Sequence, residues 1–239
     1  MAQRLIRVGH KGADRIAPGN TAPSFQAALE LGVDMIEFDV LRLEDGSLVL
    51  AHDHGDAAAR EPLSLDEGLD LFAADAYGGV ELDVDLKLAG YEAEVVAGLA
   101  DRGLDDRALI SSTFPESLAR VGELAPGMRR GWSVPRAQRD YTKSLVWMLP
   151  ALAALRWMRA GLPAKAERAL RRGQCEAFMV HRLLVSPLLV VRIHAAGGQL
   201  YVWTVDDAAA IARFERLGAD AVITNDPRLF DQVSEASRW

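Results

Sequence analysis

Glu37 and Asp39 stand two apart in the run 35–40, where apolar and charged residues alternate. In a strand, a period of two sends both carboxylates to one face and Ile36, Phe38 and Val40 to the other. Two carboxylates side by side on a half-buried strand need compensation by a cation or by hydrogen bonds. A hard divalent cation, Mg2+ or Ca2+, supplies it, because both take oxygen ligands. The plainer alternative is a polar strand face in water. Two histidines bear on the choice. His10 ends the apolar run 5–10, and His52 ends the run 48–52 after an Asp45-Gly46 turn. One strand-end histidine is ordinarily a hydrogen-bonded surface residue. A pair flanking two carboxylates reads as general acid and base beside a metal.

The same stretch, residues 10–53, resembles the glycerophosphodiester phosphodiesterases. That family's signature begins His-Arg-Gly, continues through Pro-Glu-Asn-Thr and Gly-x-Asp-x-Ile-Glu-x-Asp-Val, and closes with Asp-Gly-x-x-Val-x-x-His-Asp. The counterparts here are His10-Lys11-Gly12, Pro18-Gly19-Asn20-Thr21, residues 32–40 and residues 45–53. The resemblance implies metal-dependent cleavage of glycerophosphodiesters to sn-glycerol 3-phosphate and an alcohol such as choline or ethanolamine. It also implies attack by the substrate's own glycerol 2-hydroxyl, through a cyclic phosphate. His10 and His52 then share the acid and base work. Asp85 becomes the third metal ligand beside Glu37 and Asp39, Lys87 meets the phosphate, and Trp203 walls the substrate site. Three positions depart from the family. Asp85 stands where Glu is usual, shorter by one methylene. Lys11 replaces Arg, keeping positive charge near the phosphate but losing the bidentate fork. Gly19 replaces Glu, which removes a carboxylate and is expected to leave room beside the site.

These side chains need a frame. Strand patterns fall at 5–10, 35–40 with a hairpin extension, 80–87, 108–112, 128–134, 176–180, 200–205 and 221–224. Helical patterns fall between them, with Thr21, the Ser64/Glu67 pair and Asp207 as N-terminal caps. Eight strand–helix units with short connections predict a single-domain (β/α)8 TIM barrel over residues 1–239, and every candidate site residue then lies at the C-terminal ends of the strands. The run 80–87 alternates strictly, so Glu81, Asp83, Asp85 and Lys87 share the charged face. Asp83 is expected to pair with Lys87 or meet solvent, and is the substitute ligand if Asp85 is too short. Ser112 and His181 read as structural.

The length suits one large core, and half the residues are hydrophobic, which excludes a disordered chain. A net charge of −7 argues against general nucleic-acid binding. The single cysteine, Cys175, forms no intrachain disulfide and reads as a small buried hydrophobe. With no signal-peptide pattern and no long apolar run, the expected location is cytoplasmic. Residues 129–172 carry eleven Lys or Arg against two Asp or Glu. Within them, a basic apolar helical insertion at about 141–172, broken by Pro150 and Pro163, holds Trp147 and Trp157. It predicts either peripheral contact with an anionic membrane or an amphipathic barrel helix. Membrane contact would favour a lysophospholipase D acting on lysolipids. The reading from another class is a catalytically silent barrel with a binding role, suggested by Gly19 and Asp85.

Overall fold

The alternation that sends Glu37 and Asp39 one way and their apolar neighbours the other is that of a strand buried on both faces. In the computed structural model, which describes residues 4–136 and 148–236, that strand is one wall of a closed barrel. The first half of the chain runs β1 (Ile6–Gly9), α1 (Ala22–Glu30), β2 (Met35–Arg42), β3 (Leu48–Leu50), α2 (His54–Ala59), α3 (Leu65–Ala73), β4 (Glu81–Leu86), α4 (Glu92–Ala100) and β5 (Ala108–Ser112). The second half runs α5 (Pro115–Leu124), β6 (Arg129–Val134), α6 (Met148–Arg171), β7 (Ala177–His181), α7 (Pro187–Ala195), β8 (Gln199–Trp203), α8 (Ala208–Leu217), β9 (Ala221–Thr224) and α9 (Leu229–Ala236).

Eight parallel strands close the barrel: β1 pairs with β9 on one side and with β2 on the other. This is the expected (β/α)8 fold. The ninth strand, β3, is the hairpin extension, pairing antiparallel with β2 from Val40↔Leu50 to Arg42↔Leu48. Because β2 runs on into that hairpin, Glu37 lies mid-strand rather than at a strand end, yet still at the level of the cavity. β3 is the last strand of the sheet order, and beyond it lie a bridge from Val49 to Ser64 and a hydrogen bond from Leu50 N–H to the Leu63 carbonyl at 2.8 Å.

Aliphatic faces of the strands pack outward against the helices in two large clusters. One gathers Phe25, Phe38, Phe72 and Tyr77 under α1 and α3. The other lies beneath α6, α7 and α8. The barrel interior holds a smaller set including Val8, Leu109, Met179, Tyr201 and Ile223. The expected caps are present: Thr21 accepts from Ser24 N–H, Ser64 and Glu67 form a capping box, and Asp207 accepts from Ala210 N–H. Cys175 is buried, and burial pushes its thiol up to about 12.

One local expectation fails. Neither proline interrupts α6: Pro150 is its third residue, and the helix runs unbroken through Pro163. A mid-helix proline loses one backbone hydrogen bond and costs about 3 kcal/mol. Leu162, Ala166, Ala169 and Leu170 are buried against the core around it, so packing overrides the local preference. Residues 141–147, with Trp147, lie outside the described residues.

Candidate active site

β1 delivers His10 just past its last residue, where the His10 N–H still bonds the Thr224 carbonyl at 2.9 Å. The imidazole Nδ1 lies 2.6 Å from Asn225 Oδ1. Asn225 in turn gives its Nδ2 hydrogen to Asp206 Oδ2 at 2.6 Å and its backbone N–H to Asp206 Oδ1 at 2.9 Å. A carboxylate only accepts, so the Asn225 amide is oriented with Oδ1 toward the ring. His10 Nδ1 must therefore donate, which leaves Nε2 as the acceptor, 3.9 Å from Glu37 Oε2. Burial draws the His10 pKa below its usual 6.5, against the opposing pull of Asp39 and Asn225. The ring thus turns its Nε2 lone pair toward the carboxylates.

The turn after His10 is tight. Lys11 has φ 50°, Gly12 has φ 83°, and a Cβ on Gly12 would come within 2.6 Å of the Ser24 backbone. This geometry aims the Lys11 N–H at Glu37 Oε2, 2.7 Å away. The Lys11 ammonium goes elsewhere: it pairs with Asp14 Oδ2 at 2.8 Å, and Lys11 is absent from the lining of the site cavity. Gly19 likewise departs from expectation. Its N–H bonds Asp14 Oδ1 at 2.8 Å, and a Cβ there would meet that oxygen at 2.6 Å and Lys11 Cβ at 2.7 Å. The position is packed, not roomy. The carboxylate nearest to residue 19 is that of Asp14, which holds the Gly19 N–H and the Lys11 ammonium.

Parallel pairing of β2 with β4 sets Glu37 beside Asp83 and Asp39 beside Asp85. Glu37, Asp39 and Asp85 each offer an oxygen, and these atoms lie within 4.8 Å of one another. Asn20, at φ 58°, clamps Asp39 from both sides: its Nδ2 donates to Oδ2 at 2.8 Å, and its Oδ1 accepts the Asp39 N–H at 3.0 Å. Lys87 Nζ lies 2.7 Å from Asp39 Oδ1 and 2.8 Å from Asp85 Oδ2. Burial would raise the Asp39 pKa, but Lys87, His52 and His10 hold it well below the usual carboxylate range. Glu37 moves the other way, raised by burial and by the neighbouring Asp39. Asp83 lies deeper, 1 % exposed, and burial pushes it up to about 8 despite an offset from Ser111. It neither meets solvent nor pairs with Lys87, because alternation gives the side of a strand and not the depth of the residue.

The donor set fits a hard divalent cation. All three ligand candidates are carboxylates, and Asp85 Oδ1 is buried without a hydrogen-bond partner. His52 stands on the rim, half exposed, two residues beyond β3. Its Nδ1 lies 3.0 Å from Asp53 Oδ2, while the other oxygen of Asp53 caps α2. The cavity, about 400 Å³, is lined by His10, Glu37, His52, Asp85, Lys87 and Trp203 among others. That volume is typical of small-molecule sites, ~300–1,000 Å³. Trp203 meets the edge of His181 at 5.2 Å between ring centroids. Ser112 is fully buried and donates to the Leu86 carbonyl, a structural bond. Asn20, Asp206, Asn225, Asp53 and Asp14 have parts here that the sequence pattern did not assign.

Comparison with known proteins agrees with this geometry. Residues 10–59 and 73–229 match the model of the glycerophosphoryl diester phosphodiesterase family. A glycerophosphodiester phosphodiesterase of Caldanaerobacter subterraneus is 27% identical over 258 residues, covering 94% of this chain and 95% of its own. A solved glycerophosphodiester phosphodiesterase of Parabacteroides distasonis superposes with a TM-score of 0.77 at 16% identity over the whole of both chains. A phosphodiesterase of Oleispira antarctica, solved with the product sn-glycerol-3-phosphate, gives a TM-score of 0.71 at 21% identity, with 99% of this chain and 98% of that one covered.

Proposed function

Because this chain belongs to the glycerophosphoryl diester phosphodiesterase family, and so is a hydrolase of glycerophosphodiesters, we propose a division of labour among its own residues. Glu37, Asp39 and Asp85 hold the divalent cation, Mg2+ or Ca2+, which when bound supplies positive charge to the phosphate oxygens. Lys87 adds its ammonium to that field. Lys11 serves by its backbone N–H, which orients Glu37, rather than by its paired ammonium. His10 Nε2 takes the proton of the glycerol 2-hydroxyl as that oxygen bonds to phosphorus. The bond from phosphorus to the alcohol breaks, and His52 gives the departing oxygen its proton. Water then opens the cyclic phosphate with the two roles reversed, leaving glycerol 3-phosphate. Trp203 walls the substrate.

The observation that carries this reading is the convergence of three carboxylate oxygens within 4.8 Å, lined by both histidines. The test is turnover of a small soluble glycerophosphodiester, followed by release of the alcohol, with chelator and with each metal restored. Activity is expected to vanish in chelator and return with Mg2+ or Ca2+. Full activity in chelator would remove the metal from the reading.

A second substrate class, lysolipid diesters, is favoured by one observation: Trp157 on α6 is 79% exposed. It supports peripheral contact with an anionic membrane through residues 141–172, where the chain would meet lipid-bearing diesters. Among the described residues, no helix is long and apolar enough to cross a membrane. The single buried cysteine supports a cytoplasmic location.

A further inference from the structure

Away from the catalytic cavity, a groove of about 460 Å³ opens between α6, the turn after β7, the start of α7 and α8. Arg159, Arg182, Arg213 and Arg216 line it, together with Leu183, Val185, Pro187, Phe214 and Leu217, and no carboxylate does. Among the described residues, none of these four guanidiniums has an ion-pair partner. Their neighbours do: Arg171 and Arg192 share Glu167, and Arg228 pairs with Asp226. Four exposed guanidiniums lining one apolar groove, Arg213 also lying over the Phe214 ring, concentrate positive charge that attracts an anion.

Exposed apolar side chains on the elements that line the groove add a second constraint. The large hydrophobic side chains most exposed among the described residues are Trp157 at 79%, Val191 at 62% and Leu188 at 54%, and Leu183 is 40% exposed. Leu188 and Val191 lie three apart on α7, so they share its outer face. A free phosphate ion or a nucleic acid would use the arginines and leave these side chains in water. A bilayer with anionic lipid uses both, since phosphates face guanidiniums while aliphatic and indole groups enter the headgroup layer.

We propose that this face is a docking surface for an anionic bilayer, with lipid headgroup phosphates seated in the groove of Arg159, Arg182, Arg213 and Arg216 and with Leu188 and Val191 entering the interface. The proposal rests on the peripheral-contact reading above and moves its centre: three of the four arginines lie outside residues 141–172. Docking on this face would hold the chain at the surface its lysolipid substrates come from.

The experiment is co-sedimentation of the full chain with phosphatidylcholine vesicles, with and without phosphatidylglycerol, at low and high salt. Wild type is expected to need phosphatidylglycerol and to be released by salt. Reversing two charges, Arg182→Glu with Arg213→Glu, should weaken binding by about a hundredfold or more, at ~1 kcal/mol per basic residue. Leu188→Ser with Val191→Ser should weaken binding at every salt concentration. Turnover of a small soluble diester should be unchanged in both variants, which also reports that they fold. Equal binding with and without phosphatidylglycerol would overturn the proposal. So would a charge-reversed variant that binds like wild type, or stronger binding to a duplex oligonucleotide than to vesicles. If Trp157→Ala abolishes binding while the arginine variant keeps it, contact lies in residues 141–172 and the groove has no part in it. Loss of docking with soluble turnover intact leaves the catalytic reading standing.

Discussion

The two halves of the barrel present opposite chemistry to one cavity. β2 and β4 contribute Glu37, Asp39, Asp83 and Asp85, with Lys87 between them. β5 to β8 contribute Ser111, Ser133, Met179 and Trp203, none of them ionised, and the charge on that side is the Arg136 guanidinium, just past β6. Charge is gathered on neighbouring strands in matching register, where one cation or one ammonium can serve several carboxylates at once. Spread around the barrel, the same carboxylates would each need separate compensation. The difference sets up the proposed division: the acidic strand pair carries the reaction, and the strands of the opposite half give the cavity its shape.

The sharpest way to break that division is at its centre. Asp39 joins Asn20, Lys87 and the ligand set. Asp39→Asn keeps the shape and is expected to lower kcat on a soluble diester by about a thousandfold, the scale of several kcal/mol of lost charge stabilisation. Retention of activity within about tenfold would move the reaction away from this strand pair.

A smaller effect is expected one step out. Asn225→Ala removes the acceptor that fixes the His10 tautomer without touching the metal ligands. Turnover should fall by about 10–100-fold, the usual scale for a partner that orients a functional side chain. The pH profile carries the sign. A general base works when neutral, so kcat/KM climbs with pH and levels off above the His10 pKa, which burial sets below 6.5. The Asn225 hydrogen bond raises that pKa, so the variant's acid limb should move to lower pH even as its plateau drops. An acid limb that moves upward would contradict the assigned tautomer.

The smallest effect belongs to the uncharged strand residues of the opposite half. Ser133→Ala should change kcat/KM within about threefold, less than ~1 kcal/mol. A hundredfold loss, measured on the same diester, would place a proton path on the side assigned to shape alone.

What the sequence made legible was local. The period of two in residues 35–40 and 80–87 located both acidic strands, and Thr21, Ser64 and Asp207 marked helix starts because a cap acts within three residues of itself. Nonlocal pairs left no such mark. His10 and Asn225 are 215 residues apart in the chain, and Asn20 reaches Asp39 across 19. Asp206, next to the cap Asp207, had no part assigned from the sequence, yet it holds Asn225. At Gly19 the sequence showed a lost carboxylate but not the contact with Asp14, since the two come together only when the turn closes on Lys11. Pro163 misled for the opposite reason: a true local preference for breaking the helix was outweighed by burial of the residues beside it.

The hairpin that brings His52 to the rim has a further consequence, for association between copies of the chain. A closed barrel has no free strand edge, but adding β3 to β2 creates one. An open edge offers unpaired N–H and carbonyl groups to any other strand in solution. Here the edge is covered from within. Val49 bridges to Ser64, Leu50 N–H is taken by the Leu63 carbonyl, and the Leu50 carbonyl receives Arg60. The chain thus gains a strand to carry its second histidine and leaves little of that strand open to pair with a neighbour.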